Sequence, residues 1–154
     1  YPTTEQKVEI IRNAVKLLHA IGVERPKVAI LTAVETVNPK MPETVEAARL
    51  KELGEQGEFA GCFVEGPISY DLAMDPEAAR TKGYVSPVAG DADILVAPNI
   101  QAGNLLIKSL MYSAHAKACG LIVGAAAPIV ITSRSAPVAN KSNAMAVAAA
   151  LGNI

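Results

Sequence analysis

Serine, arginine, asparagine and lysine side chains follow apolar segments of this sequence at the points where those segments end. Ser133 and Arg134 come directly after the run "PIVIT". The planar fork of an arginine can hold two oxygens of a phosphoryl group, and a serine hydroxyl can donate another hydrogen bond. This pair therefore suits an anion with several acceptor oxygens. A turn cap beside a surface charge would give the same pattern, so both interpretations stay open.

Three other segment ends carry groups of the same kind. Asn38 and Lys40 lie in "ETVNPKM", and Asp71 ends "EGPISYD". The stretch "PNIQAGNLLIK" supplies four further candidates for binding an anion, which are Asn99, Gly103, Asn104 and Lys108. A glycine in a helical pattern costs about 1 kcal/mol relative to alanine, which indicates either a close approach of the backbone or a helix start at Gly103. Asn99 would equally serve as a helix cap, and Lys108 as a solvated surface residue.

Apolar spacing and turn residues predict the elements that position these side chains. Helices are expected over residues 4–20, 43–53, 102–117 and 142–151, with a short one inside 75–83. Strands are expected over residues 27–34, 59–64, 94–97, 121–124 and 129–131. The second of these strands is expected to end at "EGP", because proline cannot donate to a strand ladder.

The predicted strands are apolar throughout and mostly alternate with helices. This pattern predicts an α/β fold, with a mostly parallel sheet and helices on both of its faces. Ligands of such sheets bind beyond the carboxyl ends of the strands. The four polar loops are therefore expected to gather at one edge of the sheet.

Composition excludes several classes of function. The chain has 154 residues, a net charge of −1 and a pI of about 6.2, so it offers no basic field for nucleic acid or a membrane surface. Cys62 and Cys119 lie in apolar runs outside any CxxC or histidine-rich context, which indicates buried free thiols and no metal site. With no signal peptide or spanning segment in this sequence, a cytoplasmic protein is expected.

Four stretches together resemble the phosphate acetyl/butyryltransferases, and phosphate butyryltransferases in particular. They are "ETVNPKMPET", "VEGPISYDLA", "ARTKGYVSPVAGDADILVAPNIQAGNLLIKSL" and "APIVITSR". The resemblance implies transfer of a short acyl group between coenzyme A and inorganic phosphate, which gives an acyl phosphate. It implies coenzyme A as a substrate with no bound cofactor, acyl-CoA and phosphate as partners, and a homo-oligomer. It also implies a fold similar to the isocitrate and isopropylmalate dehydrogenases, with two α/β domains and a cleft between them.

Members of that family are about twice as long as this chain. The resemblance implies that residues 1–154 correspond to the C-terminal half. They would comprise the second α/β domain and, from about residue 126 to residue 154, a segment that returns to the first domain. Only about half of the two-domain fold is then expected here.

The resemblance also assigns roles to individual residues. Arg134 would hold the phosphoryl group, and Ser133 would orient the thiol of coenzyme A or donate to the phosphate. The substrate-binding set would be Asn38, Lys40, Asp71, Asn99, Gly103, Asn104 and Lys108. Ala136 in "SRSAP" stands where the family has an aspartate. The group that takes the thiol proton is thus left open among Glu65, Asp71, a residue of the missing half and no residue at all.

Two alternatives accompany the acyltransferase interpretation. A half-length chain without the family's aspartate would suit a catalytically incomplete module for binding or oligomerisation. A metal- and NAD-dependent dehydrogenase of 2-hydroxy acids would share the implied fold. That class needs a cluster of aspartates around its metal, whereas the strand ends here offer asparagine, serine and arginine, so it ranks lower.

Overall fold

The computed structural model describes residues 1–152, which form six helices and five strands. The helices are α1 (Thr4–Ala20), α2 (Pro42–Glu55), α3 (Tyr70–Met74), α4 (Pro76–Thr81), α5 (Ile100–Tyr112) and α6 (Val138–Leu151). The strands are β1 (Lys27–Leu31), β2 (Phe63–Ile68), β3 (Ile94–Val96), β4 (Leu121–Ile122) and β5 (Ile129–Val130).

β1 is the central strand of a three-stranded parallel sheet with the order β2-β1-β3. Its residues alternate between two apolar clusters. Val28 and Ile30 face α1 and α2, whereas Ala29 and Leu31 face α3 and α4. A strand covered on both faces has no position that requires a polar residue, which explains its continuous apolar run. The predicted α/β fold, with parallel strands and helices on both faces, is confirmed.

α1 begins where its sequence predicts. The backbone N–H of Gln6 donates to the Thr3 hydroxyl at 3.3 Å, and the Thr3 N–H donates to Oε1 of Gln6 at 2.9 Å. This reciprocal capping box satisfies two backbone donors that would otherwise lack partners at the helix start. Ile11 and Val15 then bury their side chains against the sheet, two turns further on.

The prediction for the second strand is wrong at both ends. β2 begins at Phe63 and continues through Gly66 and Pro67 to Ile68. β2 is an edge strand of the three-stranded sheet, so no further strand lies on its outer side. A proline, which has no N–H to donate, is tolerated in such a strand. Phe59, the predicted first residue, is buried in the core from a turn that precedes the strand.

The sequence predicts that the last two strands belong to the mostly parallel sheet, and this prediction is wrong. β4 and β5 pair with each other in antiparallel orientation and form a separate two-stranded sheet. A parallel connection needs a dozen or more residues, whereas only residues 123–128 join these strands. Gly124, with φ of 89°, supplies the left-handed conformation of that turn.

Candidate active site

An open cleft of about 770 Å³ lies at the carboxyl ends of β1 and β3. Leu31, Thr32 and Ala33 line it where β1 ends, and residues 97–99 line it where β3 ends. The first turns of α1, α2 and α5, together with Tyr70 at the start of α3, complete the wall. The backbone N–H groups at the three helix starts carry partial positive charge, and the charged side chains that line the cleft are Lys7, Glu43 and Glu46.

Asn99 lines the cleft and also caps α5. Its backbone is extended (φ −158°), and its Oδ1 accepts a hydrogen bond of 3.0 Å from the N–H of Ala102. The helix therefore begins at Ile100, two residues before the predicted start. One side-chain oxygen of Asn99 is occupied by the cap, and its amide NH₂ remains available as a donor.

Gly103 has a packing reason to be glycine. A Cβ built at this position would lie 3.3 Å from the Cβ of Ala97, at the point where α5 passes the end of β3. The predicted close approach is thus between the helix and the strand. Lys108 and Asn104 are exposed on α5, and neither lines the cleft.

A partly buried ion pair, which the sequence analysis missed, lies in the cleft wall. Nζ of Lys7 donates to Oε2 of Glu46, and the Thr4 hydroxyl donates to Oε1 of Glu46 at 3.1 Å. The Lys7 side chain is 3% exposed, and that of Glu46 is 20% exposed. A signal was present, because Lys7 precedes the core residue Ile11 by four positions and so belongs to the buried face of α1.

Asn38 shapes the loop that leads from β1 to α2. Its Oδ1 accepts a hydrogen bond of 3.0 Å from the N–H of Lys40, and its own N–H donates to the buried Thr44 hydroxyl at 2.9 Å. Such bonds fix an asparagine turn. Lys40 is exposed, and the loop ends at Pro42 and Glu43, which both line the cleft.

Asp71 belongs to a polar cluster beside the end of β2. The Ser69 hydroxyl donates to its Oδ1 at 2.6 Å, and Nζ of Lys82 lies 3.0 Å from its Oδ2. These two hydrogen bonds, that of Ser69 first, lower the pKa of Asp71 to about 2. A carboxylate so stabilised is fully ionised at neutral pH and is a poor acceptor for a thiol proton.

The Glu65 carboxylate, like that of Asp71, is already held by hydrogen bonds. Its buried Oε1 accepts hydrogen bonds from Nζ of Lys51 at 2.8 Å and from the N–H of Gly66 at 3.1 Å. The nearby Tyr84 hydroxyl donates to the carbonyl of Pro67 at 3.3 Å. Burial, followed by the negative charge of Glu65, raises the pKa of Tyr84 well above its ordinary range, so this phenol stays protonated. The geometry disfavours Glu65 as a mobile base.

Ser133 and Arg134 lie at the other end of α5. The hydroxyls of Ser133 and Ser135 are 3.0 Å apart, and the Ser135 hydroxyl is 3.2 Å from the Tyr112 hydroxyl. Tyr112 is the last residue of α5, about 18 Å along the helix axis from Ile100. Both residues of the pair are exposed, and neither is among the residues that line the cleft.

Other types of site find no support in the part of the chain that the structure describes. Within residues 1–152, no three histidine, cysteine, aspartate or glutamate side chains come together as possible ligands of one metal ion. None of the helices described is long and apolar enough to cross a membrane. The sequence analysis expected both thiols to be buried. Cys62 is half-buried, whereas Cys119 is exposed.

Comparison with known proteins gives one family. Residues 1–149 match the phosphate acetyl/butaryl transferase family. The chain belongs to this family. Both branches are represented among its relatives. It is 47% identical to a phosphate butyryltransferase of Clostridium acetobutylicum and 51% identical to a phosphate acetyltransferase of Rhizobium meliloti, each over 97% of the chain.

A solved structure extends this family likeness to three dimensions. A branched-chain phosphotransacylase from Enterococcus faecalis V583 superposes with a TM-score of 0.89 at 40% identity, over 99% of this chain and 55% of that one. The chain covers 50% and 47% of the two curated relatives. It therefore spans about half the length of the family members that it matches.

Against the family pattern, the structure brings together only part of the predicted site. Asn99 lines the cleft, and Asn99 and Gly103 are both among the residues that line a second open recess. Asn38 and Lys40 lie in the loop that leads to the cleft wall. Asp71 lies beside β2, whereas Ser133 and Arg134 lie near the far end of α5. The expectation that all four loops meet at one edge failed for the last loop because β4 and β5 form a separate sheet.

Proposed function

We propose that the protein containing this chain transfers a short acyl group, such as butyryl, between coenzyme A and inorganic phosphate. The observation that carries the proposal is the family match along residues 1–149, which includes every loop that was singled out from the sequence. Coenzyme A is a substrate in this reaction, and no resident cofactor is required. The proposed setting is the cytoplasm, in agreement with the two free thiols.

The chemistry asks for three kinds of group. The thiolate of coenzyme A attacks the carbonyl carbon of an acyl phosphate, the bond from that carbon to the phosphate oxygen breaks, and phosphate leaves. A thiol with an ordinary pKa of about 8.5 needs only modest help to lose its proton. The developing charge on the carbonyl oxygen and on the phosphate needs hydrogen-bond donors and cations. The helix starts at the cleft and the proposed role of Arg134 fit these needs.

We further propose that this chain is the C-terminal half of a two-domain enzyme similar in fold to the isocitrate and isopropylmalate dehydrogenases. Support comes from the order of the family motifs, which end with the Ser-Arg loop. The separate β4–β5 sheet supports the view that residues from about 126 to 154 return to another domain; residues 153 and 154 lie outside the described part. That domain would close the cleft and bring Ser133 and Arg134 to it.

The assignment of residues rests on the family motifs and on position. Arg134 is proposed to hold the phosphoryl group, and Ser133 to orient the thiol. The cleft supports Asn99 and Gly103 as part of the binding surface, with Asn38 and Lys40 at its entrance. Asp71, Asn104 and Lys108 keep the binding role that the motifs give them, although they lie outside the cleft. We propose that the proton acceptor is supplied from outside these 152 residues.

Arg134→Ala tests the assignment in the product of the complete reading frame. The assay is phosphate-dependent release of thiol from butyryl-CoA. Loss of one group that stabilises transition-state charge typically costs about 10²–10³ in kcat. Arg80→Ala is the matched control, because Arg80 is an exposed arginine that pairs with Glu77 on α4. Equal activity of the two variants would refute the role of Arg134 and leave the family reaction standing.

One observation favours a second candidate function for the isolated chain. Ser133 and Arg134 do not line the cleft, so residues 1–152 by themselves present a binding surface with its proposed catalytic pair elsewhere. A catalytically incomplete module that binds acyl-CoA or another subunit would have this arrangement. Binding of coenzyme A to the 154-residue chain without thiol release from butyryl-CoA would support this second function.

A further inference from the structure

The lining of the cleft suits an uncharged alkyl group better than a phosphate. Leu31 at the end of β1, Ala97 after β3 and Leu106 on α5 give it an apolar floor. Leu31 belongs to the apolar cluster on the α3 and α4 side of the sheet, and Leu106 packs against that cluster. The charged side chains of the wall are two carboxylates and one ammonium. A phosphate would therefore meet a net negative charge from these side chains, whereas an alkyl chain would meet the floor.

Tyr70 adds an aromatic ring to this lining. It is the first residue of α3, and it is 39% exposed. A tyrosine ring presents a large apolar face and has only two rotatable bonds, so it can hold an apolar group at a small cost in conformational entropy.

Polar contacts on both sides of Tyr70 fix the start of α3. This helix has only five residues and is too short to persist without tertiary contacts. The Ser69 hydroxyl donates to Oδ1 of Asp71 at 2.6 Å, and Nζ of Lys82 lies 3.0 Å from Oδ2 of Asp71. The same Nζ lies 3.9 Å from Oε1 of Glu35, in the loop that follows β1. Lys82 thus joins the start of α3 to that loop.

We propose that Tyr70 determines which acyl chain the enzyme accepts, by packing its ring against the alkyl part of the substrate, and that Asp71 and Lys82 are positioning residues for this ring. Asp71 then contributes to binding without touching the substrate, in agreement with its place outside the cleft lining. The inference rests on the proposed acyl transfer and goes beyond it, because it names the residues that set acyl-chain length.

The test of Tyr70 is the ratio of kcat/KM for butyryl-CoA to kcat/KM for acetyl-CoA, measured with the product of the complete reading frame. One methylene in an apolar pocket typically changes kcat/KM about 10–200-fold, and butyryl has two more than acetyl. We expect Tyr70→Ala to lower the ratio by about tenfold or more, and Tyr70→Phe, which keeps the ring, to change it less than about twofold. Met74→Ala is the matched control and should leave the ratio unchanged, because Met74 is exposed at the other end of α3 and does not line the cleft.

Lys82→Met tests the positioning role. A variant that only lowers the fraction of folded enzyme affects both substrates alike, so the ratio moves only if the ring is displaced. We expect Lys82→Met to lower the ratio about threefold and Lys82→Arg, which keeps the cation beside Asp71, to restore it. In the Tyr70→Ala background Lys82→Met should have no further effect on the ratio, because it acts through that ring.

The possible results separate this inference from the proposed reaction. A wild type that turns over both substrates, with the same ratio in Tyr70→Ala, would overturn the role of Tyr70 and leave the acyl transfer standing. The same result is expected if another part of the protein, and not the acyl chain, fills the cleft. A ratio that Lys82→Met lowers equally with and without Tyr70 would overturn the positioning role. Release of thiol from neither substrate by the wild type would instead contradict the proposed reaction, and this inference with it.

Discussion

The partly buried Lys7–Glu46 pair allows the most demanding test of the cleft architecture. Replacing Lys7 by Met removes the cation and keeps most of the side-chain volume. The Glu46 carboxylate then remains in the cleft wall with only the Thr4 hydroxyl as a donor. Loss of one partner from a buried pair typically costs about 3–5 kcal/mol. Glu46 keeps 20% of its side chain in contact with water, so we expect a loss somewhat below that range, about 2–3 kcal/mol of unfolding free energy.

The double variant Lys7→Met/Glu46→Leu separates the ion pair from simple packing. With both charges gone, no carboxylate is stranded, and replacement of a buried pair by apolar residues is often neutral. We expect its stability to lie within about 1 kcal/mol of the wild type. The interaction free energy from the double-mutant cycle should then exceed about 1 kcal/mol.

Urea unfolding followed by circular dichroism measures all of these variants. Lys16→Met is the control, because Lys16 lies on the same helix with an exposed side chain, and its variant should stay within about 0.5 kcal/mol of the wild type. A Lys7→Met variant as stable as Lys16→Met would refute the reasoning. So would a double variant no more stable than Lys7→Met, because the loss would then come from packing.

Three further predictions concern the elements around the cleft. Asn99→Ala removes the cap of α5 and should cost about 1 kcal/mol in urea unfolding, whereas Asn99→Asp should retain it; equal losses would contradict the cap. Gly66→Ala should cost about 1–3 kcal/mol, because its Cβ would lie 2.8 Å from the Cβ of Ile30, and an unchanged midpoint would contradict that packing. Asp71 has a lowered pKa in the folded state, so its ionised form stabilises the fold above about pH 4, and this contribution is lost as pH falls towards 2. The stability advantage of the wild type over Asp71→Asn should therefore shrink from pH 6 to pH 2, and a constant difference would contradict the cluster.

Local signals in the sequence were enough to predict the frame of the fold. Thr3 and Gln6 lie at capping-box spacing, and α1 begins there. The apolar run at Val28–Leu31 is buried on both faces, as a central parallel strand requires. The extent of β2 was not predictable from Pro67 alone, because a proline is tolerated only on an edge strand, and edge position is a property of the assembled sheet.

The site was predictable only in part for a similar reason. Asn99 sits between a strand and a helix, and the local pattern allowed its role as a cap. Lys7 was missed, since its partner Glu46 is 39 residues away. The position of Ser133 and Arg134 was predicted on the assumption that every strand joins one sheet. Apolar periodicity does not distinguish parallel from antiparallel strands, and the short connection between β4 and β5, which favours an antiparallel pair, was not used.

The most direct test of the proposed function is phosphate-dependent release of coenzyme A thiol from butyryl-CoA by the product of the complete reading frame. We predict release that requires phosphate, yields butyryl phosphate and falls about 10²–10³-fold in Arg134→Ala. The 154-residue chain alone should release little or no thiol, because Ser133 and Arg134 lie away from its cleft. A folded full-length product that releases no thiol from either butyryl-CoA or acetyl-CoA would contradict the proposed reaction.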